Sequence, residues 1–130
     1  SSAASDVYKR QLFAPMAETV VLKDEALMDA ATAVAGSGAA YFYAFTDALA
    51  RAGEAAGLDA ATADVLARAT LRSAADSMGD DALDALIGRI ASPGGSTRAG
   101  LDALDQNERL KTMLIDTVAA AVRRNREMGA

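Results

Sequence analysis

The sequence predicts an all-α fold, a bundle of helices that pairs with a second copy of the chain. Alanine occupies 33 of the 130 positions, and aromatic residues make up only 5% of a chain that is 52% hydrophobic. Alanine is the strongest helix former and lets helices approach closely, but each alanine side chain buries little area. A single copy would therefore have a thin core, which pairing with a second copy would supplement.

The N-terminal stretch lies outside this bundle. Residues 1–11, SSAASDVYKRQ, match nothing downstream and resemble the translated adapter of a sequencing read. We expect them to be a non-native segment and treat residues 12–130 as the domain. The β-branched residues in ETVVL, at 18–22, indicate a short strand or an extended piece.

Two helices come next. Asp24 is a good N-cap for a first helix over 25–35. A second helix over 39–56 ends at Gly57, because glycine commonly follows a helix C-terminus. Apolar residues recur on one face of this second helix, which we expect to be buried: Tyr41, Phe42, Phe45, Leu49, and Ala52 or Ala56. Tyr43 falls outside that face.

The third and fourth predicted helices contain no aromatic residue. Asp59 is the predicted N-cap of a helix over 60–78, and Gly79-Asp80-Asp81 predicts the next turn and cap before a helix over 82–91. The apolar positions are Val65, Leu66, Ala69 and Leu71 in the third helix, and Leu83, Leu86, Ile87 and Ile90 in the fourth.

The last two helices follow the loop SPGGST, at 92–97. Ser96 or Thr97 is the predicted N-cap of a short helix over 98–106. The final helix, over 108–128, carries a continuous apolar seam formed by Leu110, Met113, Leu114, Thr117, Val118, Ala121 and Val122.

Composition excludes several kinds of chemistry. The chain has no cysteine and no histidine, so it has no disulfide, no zinc-thiolate site and no Ser-His or Cys-His nucleophile. Its net charge of −5 argues against a nucleic-acid partner. The one basic cluster, Arg123, Arg124 and Arg126, fits the C-terminal dipole of the last helix. An uncharged run at 30–46 is too short and too rich in small residues for a membrane span, and we expect it in the core.

The loop at 92–97 has the residues of an anion cradle. Glycines before a helix start allow an anion to approach the backbone N–H groups, which carry the positive end of the helix dipole. Ser92, Ser96 and Thr97 add hydroxyl groups, and the absence of a nearby lysine suits a small carboxylate better than a polyphosphate. The alternative from spacing alone is a Pro-Gly turn followed by an ordinary Thr N-cap.

The segment GSGAAY, at 36–41, is weakly similar to a dinucleotide-binding glycine loop. It lacks the third glycine, a surrounding strand and crossover, and an acidic residue in the right context. We therefore interpret it as a bend, or as small residues where two helices cross closely.

Two segments carry a family resemblance. DAATAVAGSGAAYFYAFTDALARAGEAAGL, at 29–58, and RIASPGGSTRAGLDAL, at 89–104, resemble the C-terminal helical domain of pyrroline-5-carboxylate reductase. The second holds the specific pattern: Ile90, Ala91, Ser-Pro-Gly-Gly-x-Thr at 92–97, then Gly100 and Leu101. The likeness spans roughly residues 12–128.

The resemblance implies an activity and a set of site residues. The family reduces 1-pyrroline-5-carboxylate to L-proline with NADPH or NADH, which an N-terminal Rossmann domain holds. Its C-terminal helices intertwine with those of a second subunit, and the dimers can assemble further. By motif position, Ser92, Gly95, Ser96 and Thr97 would contact the substrate, with the catalytic Thr97 hydroxyl near the ring nitrogen. No metal is implied, and no cofactor would be bound by this chain alone, which we expect to be inactive without the missing domain.

The chain also departs from the family pattern. Ala39 stands where the family commonly has proline, and Asp105-Gln106-Asn107-Glu108 stands where it often has a glycine pair. Two other functions remain open: a free-standing helical dimerisation module without a ligand, and the helical half of another two-domain dehydrogenase. No signal peptide is evident, so we expect a cytoplasmic location.

Overall fold

A computed structural model of the chain describes residues 20–129, and the predicted non-native segment at 1–11 lies outside that range. Within it the secondary structure is helical and contains no strand. Residues 20–22 of the ETVVL segment have no regular secondary structure, and Glu18 and Thr19 lie outside the described residues. The all-α prediction is confirmed.

Six α-helices are described. They are α1 (Met28–Ala31), α2 (Gly38–Ala55), α3 (Ala60–Met78), α4 (Leu83–Ile90), α5 (Ser96–Leu104) and α6 (Arg109–Gly129). The described residues divide into two compact units, one of residues 20–41 and 113–129 and the other of residues 42–112. The site-bearing loop at 92–97 belongs to the second unit.

The first unit contains the start of the helical region and most of α6. Asp24 is the N-cap, as predicted, and its carboxylate accepts a hydrogen bond of 2.9 Å from the Ala26 N–H. The predicted first helix changes its hydrogen bonding along its length: a 3₁₀ turn at Glu25–Leu27, then α1, then a π-helical turn at Thr32–Gly36. The π-helical turn contains the fully buried Ala33.

The basic cluster of α6 also lies in this unit. Arg126 Nε is 3.7 Å from an Asp29 carboxylate oxygen, and the Asn125 side-chain amide donates to the Asp29 carbonyl at 3.4 Å. Arg124 pairs with Glu127 at 3.1 Å. These contacts give two of the three arginines a carboxylate partner, and Arg126 is the member of the cluster that lies in the last turn of α6. The match of the cluster to the helix dipole stays a prediction.

The second unit is built around the α2–α3 hairpin. Asp59 caps α3 as predicted, with its carboxylate accepting from the Thr62 N–H at 2.9 Å and from the Thr62 hydroxyl at 2.7 Å. Gly53 allows the close approach, because a Cβ there would lie 3.2 Å from Leu58 Cδ1 and 3.4 Å from Ala63 Cβ. The buried cluster of this unit consists of Ala50, Ala63 and Ala67.

The predicted apolar faces are not buried within a single copy. Every buried residue in the described part of the chain is an alanine, whereas Phe42 is 62% exposed, Val65 64% and Ile90 74%. The other exposed members of the predicted faces include Phe45, Leu49, Leu66, Leu83, Ile87, Met113 and Leu114. The burial prediction is therefore wrong for one chain. Small side chains occupy the intramolecular contacts and leave the larger ones without a covering layer.

Two predicted helix caps are also wrong. The N-cap position of α4 is Ala82, which offers no side-chain hydrogen bond, and Asp81 instead accepts from Arg89 at 2.9 Å. The N-cap position of α5 is Gly95, so Ser96 and Thr97 lie inside the first turn of the helix rather than before it. In both helices, the N-cap position lies one or two residues away from the polar residue that was predicted to fill it.

The turn between α5 and α6 uses left-handed backbone. Asn107 has φ 55° and Glu108 has φ 57°, within a 3₁₀ turn over Gln106–Glu108. Asp105 stabilises this turn, since its carboxylate accepts a hydrogen bond of 3.1 Å from the Leu110 N–H and forms an ion pair with the Lys111 ammonium. The departure from the family's glycine pair thus leaves two non-glycine residues in a conformation that glycine adopts most easily.

Candidate functional site

The candidate site is the loop that joins α4 to α5. At the end of α4, the buried Ala91 donates its N–H to the Ile87 carbonyl at 2.9 Å. The Gly95 N–H donates to the Ser92 carbonyl at 3.1 Å and closes a four-residue turn. Pro93 takes the second position of this turn, and Gly94 takes the third with φ +74°. These are the residues that a type II turn requires, because its third position needs a positive φ.

The start of α5 presents unpaired backbone donors. The first hydrogen bond to the N-cap carbonyl is made by Ala99, whose N–H donates to Gly95 at 3.2 Å. Within residues 20–129, the N–H groups of Ser96, Thr97 and Arg98 meet no acceptor, and no side chain caps the helix. Unpaired N–H groups and the helix dipole together favour an anion at this position.

Side chains around these donors are polar and accessible. Ser92, Ser96 and Thr97 are exposed, and their hydroxyls make no hydrogen bond to another described residue. Arg98 is half-buried and forms no ion pair within the described part of the chain. The four predicted site residues therefore lie together at one helix start, and their predicted roles toward a substrate stay predictions.

The alternative interpretation of the loop does not fit this geometry. A Pro-Gly turn is present, but Thr97 is not an N-cap, so the amides that a threonine cap would have satisfied stay open. The Gly95 N–H is already donated to the Ser92 carbonyl within the turn. Three of the local donors remain available, and they belong to the residues after Gly95.

The loop at 92–97 contains no acidic or basic side chain. Among the described residues, the one resolved pKa shift belongs to Asp59 at the cap of α3, where hydrogen bonds from the Thr62 N–H and then the Thr62 hydroxyl lower the pKa. The described residues hold no group of three or more acidic, histidine or cysteine side chains placed to hold a metal ion. The unpaired amides and the hydroxyl groups of the loop at 92–97 are donors of the kind that a carboxylate accepts from.

The segment GSGAAY does not have the surroundings of a nucleotide site. Gly36 ends the π-helical turn, Ser37 follows with a right-handed backbone, and Gly38 begins α2. The residue before this glycine segment is helical, whereas a dinucleotide fold places a strand there. This segment therefore lacks the strand that precedes a dinucleotide-binding glycine loop, and its interpretation as a bend between helices agrees with the structure.

An apolar groove in the second unit was missed by sequence reasoning. It has a volume of about 400 Å³ and is lined by α2, α3 and the turn between them: Leu49, Ala52, Gly53, Leu58, Ala63, Leu66, Ala67 and Thr70. Leu49, Leu58 and Leu66 around it are exposed. The signal was present as glycine and alanine at helical spacing, which leaves space beside the close α2–α3 approach.

Comparison with known proteins decides the family. Residues 25–128 match the family described as pyrroline-5-carboxylate reductase dimerisation. The chain belongs to this family. The pyrroline-5-carboxylate reductase 2 of Bacillus subtilis (strain 168) is 35% identical over 98% of this chain and 48% of that protein. The pyrroline-5-carboxylate reductase of Arabidopsis thaliana is 36% identical over 84% of this chain and 40% of that protein.

Solved structures give the same result. A Plasmodium falciparum pyrroline carboxylate reductase with NADP bound matches 100% of this chain and 49% of that chain, with a TM-score of 0.77 and 29% identity. A pyrroline-5-carboxylate reductase from Coxiella burnetii matches with a TM-score of 0.79 and 26% identity, over 98% of this chain and 47% of that chain. The chain thus spans about half the length of its relatives, and the resemblance seen in its sequence is confirmed.

Among the described residues, none of the helices combines sufficient length with sufficient hydrophobicity to cross a bilayer. The uncharged run at 30–46, which we interpreted as core, contributes the buried Ala33 but also the exposed Phe42 and Phe45.

Proposed function

We propose that this chain is the dimerisation and substrate-binding half of a pyrroline-5-carboxylate reductase, an enzyme that reduces 1-pyrroline-5-carboxylate to L-proline. Membership of the family and a span of about half of each relative support this assignment. The cofactor, NADPH or NADH, would be held by a separate Rossmann domain, and the helical surroundings of the glycine segment at 36–41 support that assignment. When bound, it supplies the hydride that adds to the imine carbon.

The loop at 92–97 would bind the carboxylate of the substrate. The observation that supports this role is the set of three unpaired amides at Ser96, Thr97 and Arg98 at the start of α5. The hydroxyls of Ser92 and Ser96 would donate to the same carboxylate. The Thr97 hydroxyl would donate to the ring nitrogen or orient a water there, so that the imine carbon is polarised as hydride arrives.

Ligand-dependent melting tests this assignment on the chain itself. A ligand that binds only the folded state stabilises it by RT ln(1 + [L]/Kd), about 2.7 kcal/mol at one hundred times Kd. We expect L-proline to raise the melting temperature of the wild type, and Thr97→Ala to reduce the rise. Thr112→Ala, an exposed threonine outside the loop, is the matched control and should leave the rise unchanged.

Turnover provides the second part of the test. The full-length protein that carries this domain should reduce 1-pyrroline-5-carboxylate with NADPH or NADH, and the 130-residue chain alone should not. An inactive full-length protein, together with no response to proline, would leave a helical dimerisation module as the function. Reduction by the isolated chain would contradict the assignment of the cofactor to another domain.

The dimerisation role rests on a different observation. The exposed apolar residues of α2, α3 and α4 and the groove of about 400 Å³ need a covering partner, and the family description supports a second copy of the chain. We expect a homodimer in which the helices of the two copies intertwine. Light scattering at micromolar protein concentration should give the mass of a dimer. Leu66→Glu should shift the population to monomers, whereas Arg72→Glu on the same helix should not. A well-folded wild-type monomer would contradict this role. Nothing in the described helices argues for a membrane partner, and a cytoplasmic location stays a prediction.

A further inference from the structure

Gly94 and Gly95 are glycines for different physical reasons. Gly94 has φ +74°, a left-handed conformation that disfavours any residue with a Cβ. Gly95 has φ −84° and ψ 170°, an extended conformation that every residue adopts readily. The backbone of Gly95 therefore does not require glycine, and the requirement must come from the space around it.

The space beside Gly95 is taken by Ser92. A Cβ built on Gly95 would lie 2.7 Å from the Ser92 Oγ and 3.3 Å from the Ser92 carbonyl oxygen. The first distance is too short for two such atoms, whereas the second is a tight contact that a small backbone shift relieves. Because a serine side chain can rotate about a single bond, a methyl group at position 95 would move the hydroxyl to another rotamer before it disrupted the turn.

The Gly95 N–H is not available to a ligand. Its N–H is donated to the Ser92 carbonyl at 3.1 Å, so the same two residues contact each other through both backbone and side chain. The Ser92 hydroxyl itself makes no hydrogen bond to another described residue. It thus lies beside the N-cap residue of α5 with its donor free, next in the chain to the unpaired amides of Ser96 and Thr97.

We propose that Gly95 is a positioning residue. Because it has no side chain, it leaves room for the Ser92 hydroxyl at the start of α5, where that hydroxyl donates to the carboxylate of a small acid. This inference rests on the proposed function, and it assigns the direct contact to Ser92 and an indirect role to Gly95. The other carboxylate donors are the amides that follow Gly95, and they do not depend on the size of residue 95.

A double-mutant cycle in the full-length protein tests the inference. Ser92→Ala, Gly95→Ala and the double variant are compared by KM for 1-pyrroline-5-carboxylate. Loss of one hydrogen bond to a charged group corresponds to about tenfold or more in binding. We expect each single variant to raise KM by about that factor with kcat changed far less, and the double variant to match either single one. Gly88→Ala, where a Cβ meets nothing within 4 Å, is the matched control and should leave KM unchanged.

Two results would overturn the inference. If Gly95→Ala raised KM by the same factor in the wild type and in the Ser92→Ala variant, residue 95 would act without the Ser92 hydroxyl. If Ser92→Ala left KM unchanged, the hydroxyl would not contact the carboxylate.

A second readout separates this inference from the proposed function. Gly95→Ala should lower the free energy of unfolding more in the wild type than in the Ser92→Ala variant, because only the wild type contains the Ser92 Oγ that lies 2.7 Å from the added Cβ. Additive effects on unfolding would refute the positioning of Ser92 even if the enzyme were active. A different result would separate the two proposals. If the full-length protein had no reductase activity while the two substitutions still had non-additive effects on unfolding, the proposed function and the carboxylate contact would be refuted. The dependence of the Ser92 rotamer on residue 95 would stand.

Discussion

Glu108 offers a quantitative test of the turn between α5 and α6. Its φ of 57° lies in the left-handed region, directly after Asn107 at 55°. A left-handed conformation costs a residue with a Cβ about 1–2 kcal/mol, and asparagine tolerates it better than glutamate does. The Glu108 side chain makes no hydrogen bond or ion pair with another described residue, and its backbone N–H donates to Asp105 at 2.9 Å. Glu108→Gly therefore removes the strain and keeps the backbone contact.

The expected increase in the free energy of unfolding is the strain energy that is released, less the free-energy cost of the extra conformational entropy that glycine gives the unfolded chain. That entropy is worth about 0.4–1 kcal/mol, so Glu108→Gly should stabilise the protein by up to about 1.6 kcal/mol, with a central value of about 0.8 kcal/mol. Asn107→Gly should give a smaller change, because asparagine is already suited to this conformation. The α3 residue Ala75 has ordinary helical backbone and is exposed, so Ala75→Gly should destabilise by about 1 kcal/mol.

Urea unfolding at one fixed protein concentration is the assay, because the stability of a dimer depends on concentration. Thermal melting should show the melting temperature of Glu108→Gly raised by about 2–6 °C. A loss of stability in Glu108→Gly equal to that in Ala75→Gly would refute the reasoning, since it would mean that residue 108 has no left-handed strain to release.

Three further predictions concern the second unit. Hydrogen bonds from the Thr62 N–H and then the Thr62 hydroxyl hold the pKa of Asp59 below its ordinary value of 3.8, so the contribution of this cap is present above the unfolded pKa and is lost as pH falls through the folded pKa. Asp59→Asn should keep the cap at neutral pH but flatten the acid limb of stability between about pH 2 and 5, measured by urea unfolding. Ala67→Leu should destabilise by about 1–3 kcal/mol because Ala67 is 5% exposed in the alanine cluster, whereas Ala74→Leu on the exposed side of α3 should not; equal effects would contradict the close α2–α3 approach. Asp81→Asn should change stability by less than about 1 kcal/mol, since its pair with Arg89 is 56–62% exposed and Ala82, not Asp81, is the N-cap residue of α4; a larger loss in denaturant unfolding would restore Asp81 as a cap.

Helix content and most helix bounds could be predicted from the sequence. Asp59 and the 60–78 helix were right because an Asp before an alanine-rich stretch satisfies the first amides locally. The caps of α4 and α5 were wrong because several polar residues lie close together there, and local preference does not choose among them. At α5 the chain uses Gly95 as the N-cap position and leaves the amides of Ser96 and Thr97 open. That departure from local preference coincides with the loop we propose as the carboxylate site.

Sequence alone determined that the chain is helical, that its core depends on alanine, and which motif marks the family, because these properties follow from residue type and near-neighbour spacing. Tertiary structure decided which side chains are covered. Apolar periodicity identifies a face that avoids water, but it does not say whether the same chain or a second copy supplies the covering surface, and here Ala50, Ala63 and Ala67 are covered while Phe42 and Val65 are not. The structure also decided that Gly95 is close to Ser92 through space, a contact that depends on how the turn folds rather than on the residues it contains.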